Sequence, residues 1–211
     1  MKKFKKAVII SGIILLILAA AIVKFIADGN QIISGVVIHN KYGEIMLAND
    51  KGNLLQLDNF DNHDKYSDGD RIIVVCGENM VLCGGNLYEA SVDVHFTMRT
   101  EKGDFSDIEE HFRNTGRNLL SGRFLRSKNG DLMLIDDNGS AYELCILSSE
   151  DRPEYYNHYG DGDKFYAVCG DIREIYPAQA DMYYCWLVED GDYSDLPESP
   201  LETLREMGWI N

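Results

Sequence analysis

Residues 33–57, ISGVVIHNKYGEIMLANDKGNLLQL, align without a gap on residues 120–144, LSGRFLRSKNGDLMLIDDNGSAYEL, and nine of the 25 positions are identical. Further along, YSDGDRIIVVCG at 66–77 matches YGDGDKFYAVCG at 159–170, and GDFSDI at 103–108 matches GDYSDL at 191–196. Three matching blocks in the same order make the chain two tandem copies of one unit, over residues 32–116 and 117–211. Each copy, at roughly 85 to 95 residues, is long enough to close a hydrophobic core of its own. Whatever fold is proposed must therefore fit twice.

Both copies read as β-structure, in short half-apolar runs punctuated by Gly, Asn and Asp. In the first copy the pattern predicts strands at 33–39, 44–49, 53–57, 71–76 and 90–100. The second repeats them at 120–126, 131–136, 140–144, 164–169 and 180–189. Gly52 and Gly139, in NDKGN and DDNGS, supply the positive φ that a tight hairpin needs between strands two and three. A helix is expected after each fifth strand. Ser106 and Glu109 match a capping box with Gly116 as stop, and Ser199, Pro200 and Glu202 mark a second start with Gly208 as stop. Leu201, Leu204 and Met207 should form the packing face of that second helix.

A three-stranded meander, a longer connection and a final pair resemble the OB-fold. The features that carry the likeness are the Gly-containing bend of strand one (SGVVI, SGRFL), the strand-two and strand-three hairpin (MLANDKG, MLIDDNG), and the turn into strand four (DGDRIIVVCG, DGDKFYAVCG). The fold class implied is mainly β: an N-terminal transmembrane helix, then two tandem five-stranded OB-like β-barrels, each with a short helix after strand five. The short connection between strands three and four departs from the OB pattern, and an SH3-like barrel is the alternative. OB-folds bind ligands on the face of strands two and three and in the loops joining strands 1-2 and 4-5. The resemblance therefore nominates Tyr42, Tyr88, Tyr142 and Tyr176 as ligand-binding candidates. Nine of the twelve tyrosines fall in the second copy, which points to that copy for an aromatic surface.

The segment MKKFKKAVIISGIILLILAAAIVKFIA, residues 1–27, places four lysines ahead of an apolar run over 7–23. It is read as a transmembrane anchor, with a cleaved signal peptide as the alternative. Lysines stay on the cytoplasmic side, which puts everything after the short linker 28–31 outside the cytoplasm. Beyond residue 24 the chain carries a formal charge of about −20. Such a surface repels phosphate backbones, so nucleic acid is not expected as a partner. Five cysteines cannot all pair internally, and Cys76 with Cys83 is the first choice for a disulfide.

No catalytic residue repeats between the copies. His39 aligns with Arg126 and His95 with Tyr183, while His63, His111 and His158 have no histidine counterpart. The acids that do repeat, Asp68 and Asp70 with Asp161 and Asp163, and Asp104 with Asp192, sit in turns or at helix starts, where Asp contacts its own backbone. No catalytic, metal or cofactor set is assigned. The expected function is non-enzymatic: a membrane-anchored, extracytoplasmic binding or scaffold protein recognising a cell-envelope protein or glycan. The alternatives are a hydrolase joining His158 to Asp161 or Asp163, and a calcium-stabilised spacer.

Overall fold

The structure, a computed structural model, describes residues 24–25, 27–60, 65–80, 90–146 and 159–211. It is mainly β, with two five-stranded sheets and few helices. The first sheet contains β1 (Gln31–His39), β2 (Ile45–Asn49), β3 (Leu54–Asp58), β4 (Arg71–Met80) and β5 (Ala90–Glu101), followed by helix α1 (Phe105–Asn114). The second contains β6 (Asn118–Arg126), β7 (Leu132–Asp136), β8 (Ala141–Ile146), β9 (Lys164–Arg173) and β10 (Ala178–Glu189), followed by α2 (Glu198–Glu206). In each sheet the first strand pairs antiparallel with both the second and the fourth, and the third runs parallel to the fifth. The fourth and fifth pair antiparallel, so the circuit 1-2-3-5-4 returns to strand 1 and each strand has a neighbour on both sides. The aligned blocks 33–57 and 120–144 form β1–β3 and β6–β8 respectively, in separate sheets.

Side chains alternate across a strand, so a run apolar at every position is buried on both faces. That is the case here. Val37, Ile45, Leu47, Leu55, Ile72 and Val74 fill the interior of the first sheet, while Val36, Ile38, Met46, Ala48 and Leu54 point outward beneath α1. The second interior repeats the first with volumes redistributed. Phe124 and Phe165 replace Val37 and Ile72, and Ala167 replaces Val74.

Both hairpins turn as predicted. Gly52 and Gly139 have φ of 79° and 84°, and Asn49 or Asp136 at the turn's start accepts two backbone N–H groups through Oδ1. The helix starts differ from the sequence reading. Asp104, not Ser106, caps α1: its carboxylate accepts from the Ser106 N–H, and Asp107 accepts from the Asp104 N–H. Asp192 and Asp195 build the same cap in the second copy, but it opens only the 3-10 turn Tyr193–Asp195. Pro197 forces Leu196 into extended backbone, and the helix restarts at Glu198 with no side-chain cap. Because α2 ends at Glu206, Met207 lies off its packing face and is exposed, whereas Leu201 and Leu204 are buried.

The two units are not independent. Helix α1 lies between the sheets, with Ile108 and Phe112 packed at once against Val36, Ile38 and Met46 of the first and against Val168, Tyr184 and Trp186 of the second. Arg117 donates to the Tyr184 hydroxyl at 2.7 Å and to Asn53 at 3.2 Å, and that hydroxyl donates to the Gly52 carbonyl. The second unit covers its own outer face with α2, through Leu196, Leu201, Leu204 and Ile210 on Leu125, Met133, Ile135 and Ala141. Apart from residues 24, 25 and 27, the segment 1–27 expected to form an anchor lies outside the described residues. Among those described, no helix is long and apolar enough to cross a membrane.

Candidate binding surface

The face of strands two and three is filled in both units. Met46, Ala48 and Leu54 lie under α1 with no exposure, and Met133, Ile135 and Ala141 lie under α2. No ligand can reach either without displacing a helix. The tyrosines nominated for that face do not converge. Tyr42 is 69% exposed in the β1–β2 loop, beside Lys41, which hydrogen-bonds to Leu187 at the far end of β10. Tyr176 is exposed just before the near end of β10, roughly 30 Å away at strand spacing. Tyr142 on β8 packs against the interior of the second sheet, where burial raises its phenol pKa. Tyr88 lies outside the described residues. The second copy's tyrosine richness has another use, since Tyr166 and Tyr184 join Trp186 in the junction between the units.

The repeated acids serve the backbone. Asp68 accepts from the His39 N–H at 2.7 Å, and Asp161 accepts from the Arg126 N–H at 2.9 Å. Asp70 accepts from Ser67 and Gly103, and Asp163 from Gly160 and Gly191. Each pair ties the turn before strand four to the start of the helix segment. The approach is so close that a Cβ on Gly69 or Gly162 would fall on the carbonyl of Asp104 or Asp192, and both glycines have positive φ. With these oxygens engaged by N–H donors, no cluster of three metal-ligating side chains forms among the described residues.

Two hollows remain. A polar groove of about 250 Å³ beside α1 is lined by Arg71, Glu101, Asp107, Glu110 and His111. Within it Arg71 pairs with Asp50 at 2.7 Å, and His111 Nε2 meets the Asn49 carbonyl at 2.9 Å. Inside the second sheet only about 10 Å³ is left among Phe124, Tyr159, Phe165, Met182 and Cys185, no more than one water occupies. The thiols of Cys76, Cys145, Cys169 and Cys185 are all held above the ordinary range, which keeps them protonated at neutral pH. Burial pushes Cys169 up to about 12 and raises Cys76 and Cys185 as well. Cys76 is a buried thiol, and its nominated partner Cys83 lies outside the described residues, as does His158.

Among the described residues, an apolar sheet face lies open on the first unit whose counterpart on the second is covered. Ile32, Val75 and Phe96 lie side by side across β1, β4 and β5, and Ser34, Ile73 and Met98 form the adjacent row. The second unit has the same two rows: Leu119, Val168 and Tyr184, then Ser121, Tyr166 and Trp186. There the face is buried, with Tyr184 and Trp186 each 2% exposed, whereas Phe96 is 58% and Met98 48% exposed. The signal was present in the sequence. RIIVVC is apolar at outward as well as inward positions, and self-alignment sets Phe96 and Met98 against Tyr184 and Trp186. Compared with known proteins, the chain matches no family model, and no curated protein matches its sequence.

Proposed function

We propose that this chain is a membrane-tethered, extracytoplasmic protein of two OB-like units that works by binding protein, not by catalysis. The single observation that carries the binding reading is the open apolar face of Ile32, Ile73, Val75, Phe96 and Met98. A contiguous apolar patch of this kind on an otherwise acidic molecule marks an interaction site. Its aliphatic and phenyl side chains offer no hydrogen bonds to sugar hydroxyls, which favours a protein over a glycan. The closed circuit, with strand three parallel to strand five, supports an OB-like reading over an SH3-like one. The filled strand-two face means that recognition does not use the customary OB surface. The lysine-headed apolar run supports the tether.

Two measurements test this reading. Alkaline phosphatase, which is active only outside the cytoplasm, should be active when fused after Asn211, and the fusion should stay in the membrane pellet after an alkaline carbonate wash. An inactive fusion removes the address, and an active one released by the wash removes the tether. Short-range cross-linking in intact membranes should give protein adducts that Phe96→Asp reduces at least tenfold. Unchanged adducts remove the open face as the binding surface.

A further inference from the structure

The geometry points to a second copy of this chain as the occupant of the open face, the two first units meeting face to face about a two-fold axis. This deepens the binding reading and rests on it. The face matches, row for row, one that already packs against protein of this same kind. In the second unit Leu119, Tyr166, Val168, Tyr184 and Trp186 are covered by α1 and β1–β3 of the first unit. In the first unit the polar elements of that junction are missing. Phe96 stands where the Tyr184 hydroxyl reaches Gly52 and Arg117, and Met98 stands in place of Trp186. What is left, apart from Ser34 at its edge, whose hydroxyl donates to Asp50, is apolar and best complements another apolar surface.

The rim suits self-pairing. Arg71, which also pairs with Asp50, and Glu101 stand opposite each other at the edge of the patch, so a two-fold axis running between β4 and β5 brings each arginine towards the other chain's glutamate. An isologous interface requires that kind of self-complementarity. Head-to-tail stacking is disfavoured by the second unit. Where the first unit offers Val36 and α1 to its neighbour, the second has Arg123 and a helix whose Glu198, Glu202 and Glu206 face solvent. Seating that helix on Phe96 and Met98 would strip water from Glu202 and Glu206 and from the Glu198–Arg205 pair while offering them no polar partner. Lipid is a poorer occupant still, because the chain beyond residue 24 carries about −20 and is repelled by anionic headgroups. Two chains tethered in one bilayer through the linker 28–31 also hold their first units on the same side, as a two-fold axis along the membrane normal requires.

The test uses the full-length chain in its own membranes, with a photo-cross-linking amino acid placed at position 96 or, separately, at position 202. Irradiation at 96 should yield an adduct of twice the chain's mass. Adding Met98→Asp should reduce that adduct at least tenfold while leaving the tryptophan emission of the folded protein unchanged. Position 202 should yield no such adduct. A homodimer adduct from 202 would establish head-to-tail stacking and overturn the two-fold pairing. Adducts from 96 only to lipid, or only to a different protein, would also overturn it, and the second of these would leave the binding reading intact. No adduct at 96 would remove both.

Discussion

His111 shows how a single side chain sets a pH limit. It is 5% exposed, on the inner side of α1, and its Nε2 meets the Asn49 carbonyl at 2.9 Å. Burial lowers its pKa, which outweighs the opposing pull of the Asn49 carbonyl, and Arg71 adds to the lowering while Asp50 opposes it. With the folded-state value below the ordinary 6.5, the unfolded chain binds this proton more readily than the folded one. Stability from this site is therefore full above the ordinary value and falls as pH drops through 6.5 towards the folded pKa. The cap carboxylates Asp104 and Asp192 are held below the usual range by the side-chain and backbone hydrogen bonds of Ser106 and Ser194, so their contribution fades only in stronger acid. Between pH 7 and 5 the melting temperature should fall, and His111→Gln, which keeps a donor for Asn49, should flatten that slope. An undiminished slope in the variant would assign the loss to another histidine.

At the scale of the element, α1 and α2 occupy equivalent places after strand five but have diverged in role. Phe112 on α1 is fully buried between the two sheets, whereas Leu204 on α2 is fully buried against the second sheet alone. Truncation to alanine should cost about 3–5 kcal/mol at Phe112 and about 2–5 kcal/mol at Leu204 in denaturant unfolding. Only Phe112→Ala should also change near-ultraviolet dichroism from Tyr184 and Trp186, because those rings pack against the deleted phenyl. An unchanged spectrum would mean that α1 is not wedged at the junction. The strands were legible because alternation and glycine turns are local signals, and their ends lie within a few residues of the pattern except in β4 and β9, which run on past their cysteines. The helix caps were not. Ser106 with Glu109 and Asp104 with Asp107 both satisfy the spacing rule, and only the tie of Gly103 to Asp70 selects the latter. Tyr142 shares its strand parity with Leu144, so its inward direction was readable, but the OB likeness drew attention to the strand rather than to the parity. The junction was the least legible part. No periodicity within one copy reports which outer face the other copy will cover.

For the molecule as a whole, the question is whether two closed sheets in tandem unfold as two bodies or one. Their interiors are separate clusters, which by itself would allow each unit to open alone. The junction argues otherwise. Separating the units would expose Val168, Tyr184 and Trp186 on one side and the outer faces of Val36, Ile38 and Phe112 on the other. Aromatic side chains bury roughly 150–250 Å² each, so at about 25 cal/mol per Å² Tyr184 and Trp186 together account for up to about 12 kcal/mol as an upper bound. That equals much of a typical domain's entire stability of about 5–15 kcal/mol, so neither unit can open without forfeiting most of what holds the other. Only two tryptophans are present, Trp186 in the junction and Trp209 beside α2, and Trp209→Phe leaves the junction as the sole emitter. In that variant the urea midpoint from fluorescence should coincide with the midpoint from far-ultraviolet dichroism, which sums both sheets, as a single cooperative transition demands. Two dichroism transitions, with fluorescence following only one, would show that the copies still unfold as the separate modules from which the chain was duplicated.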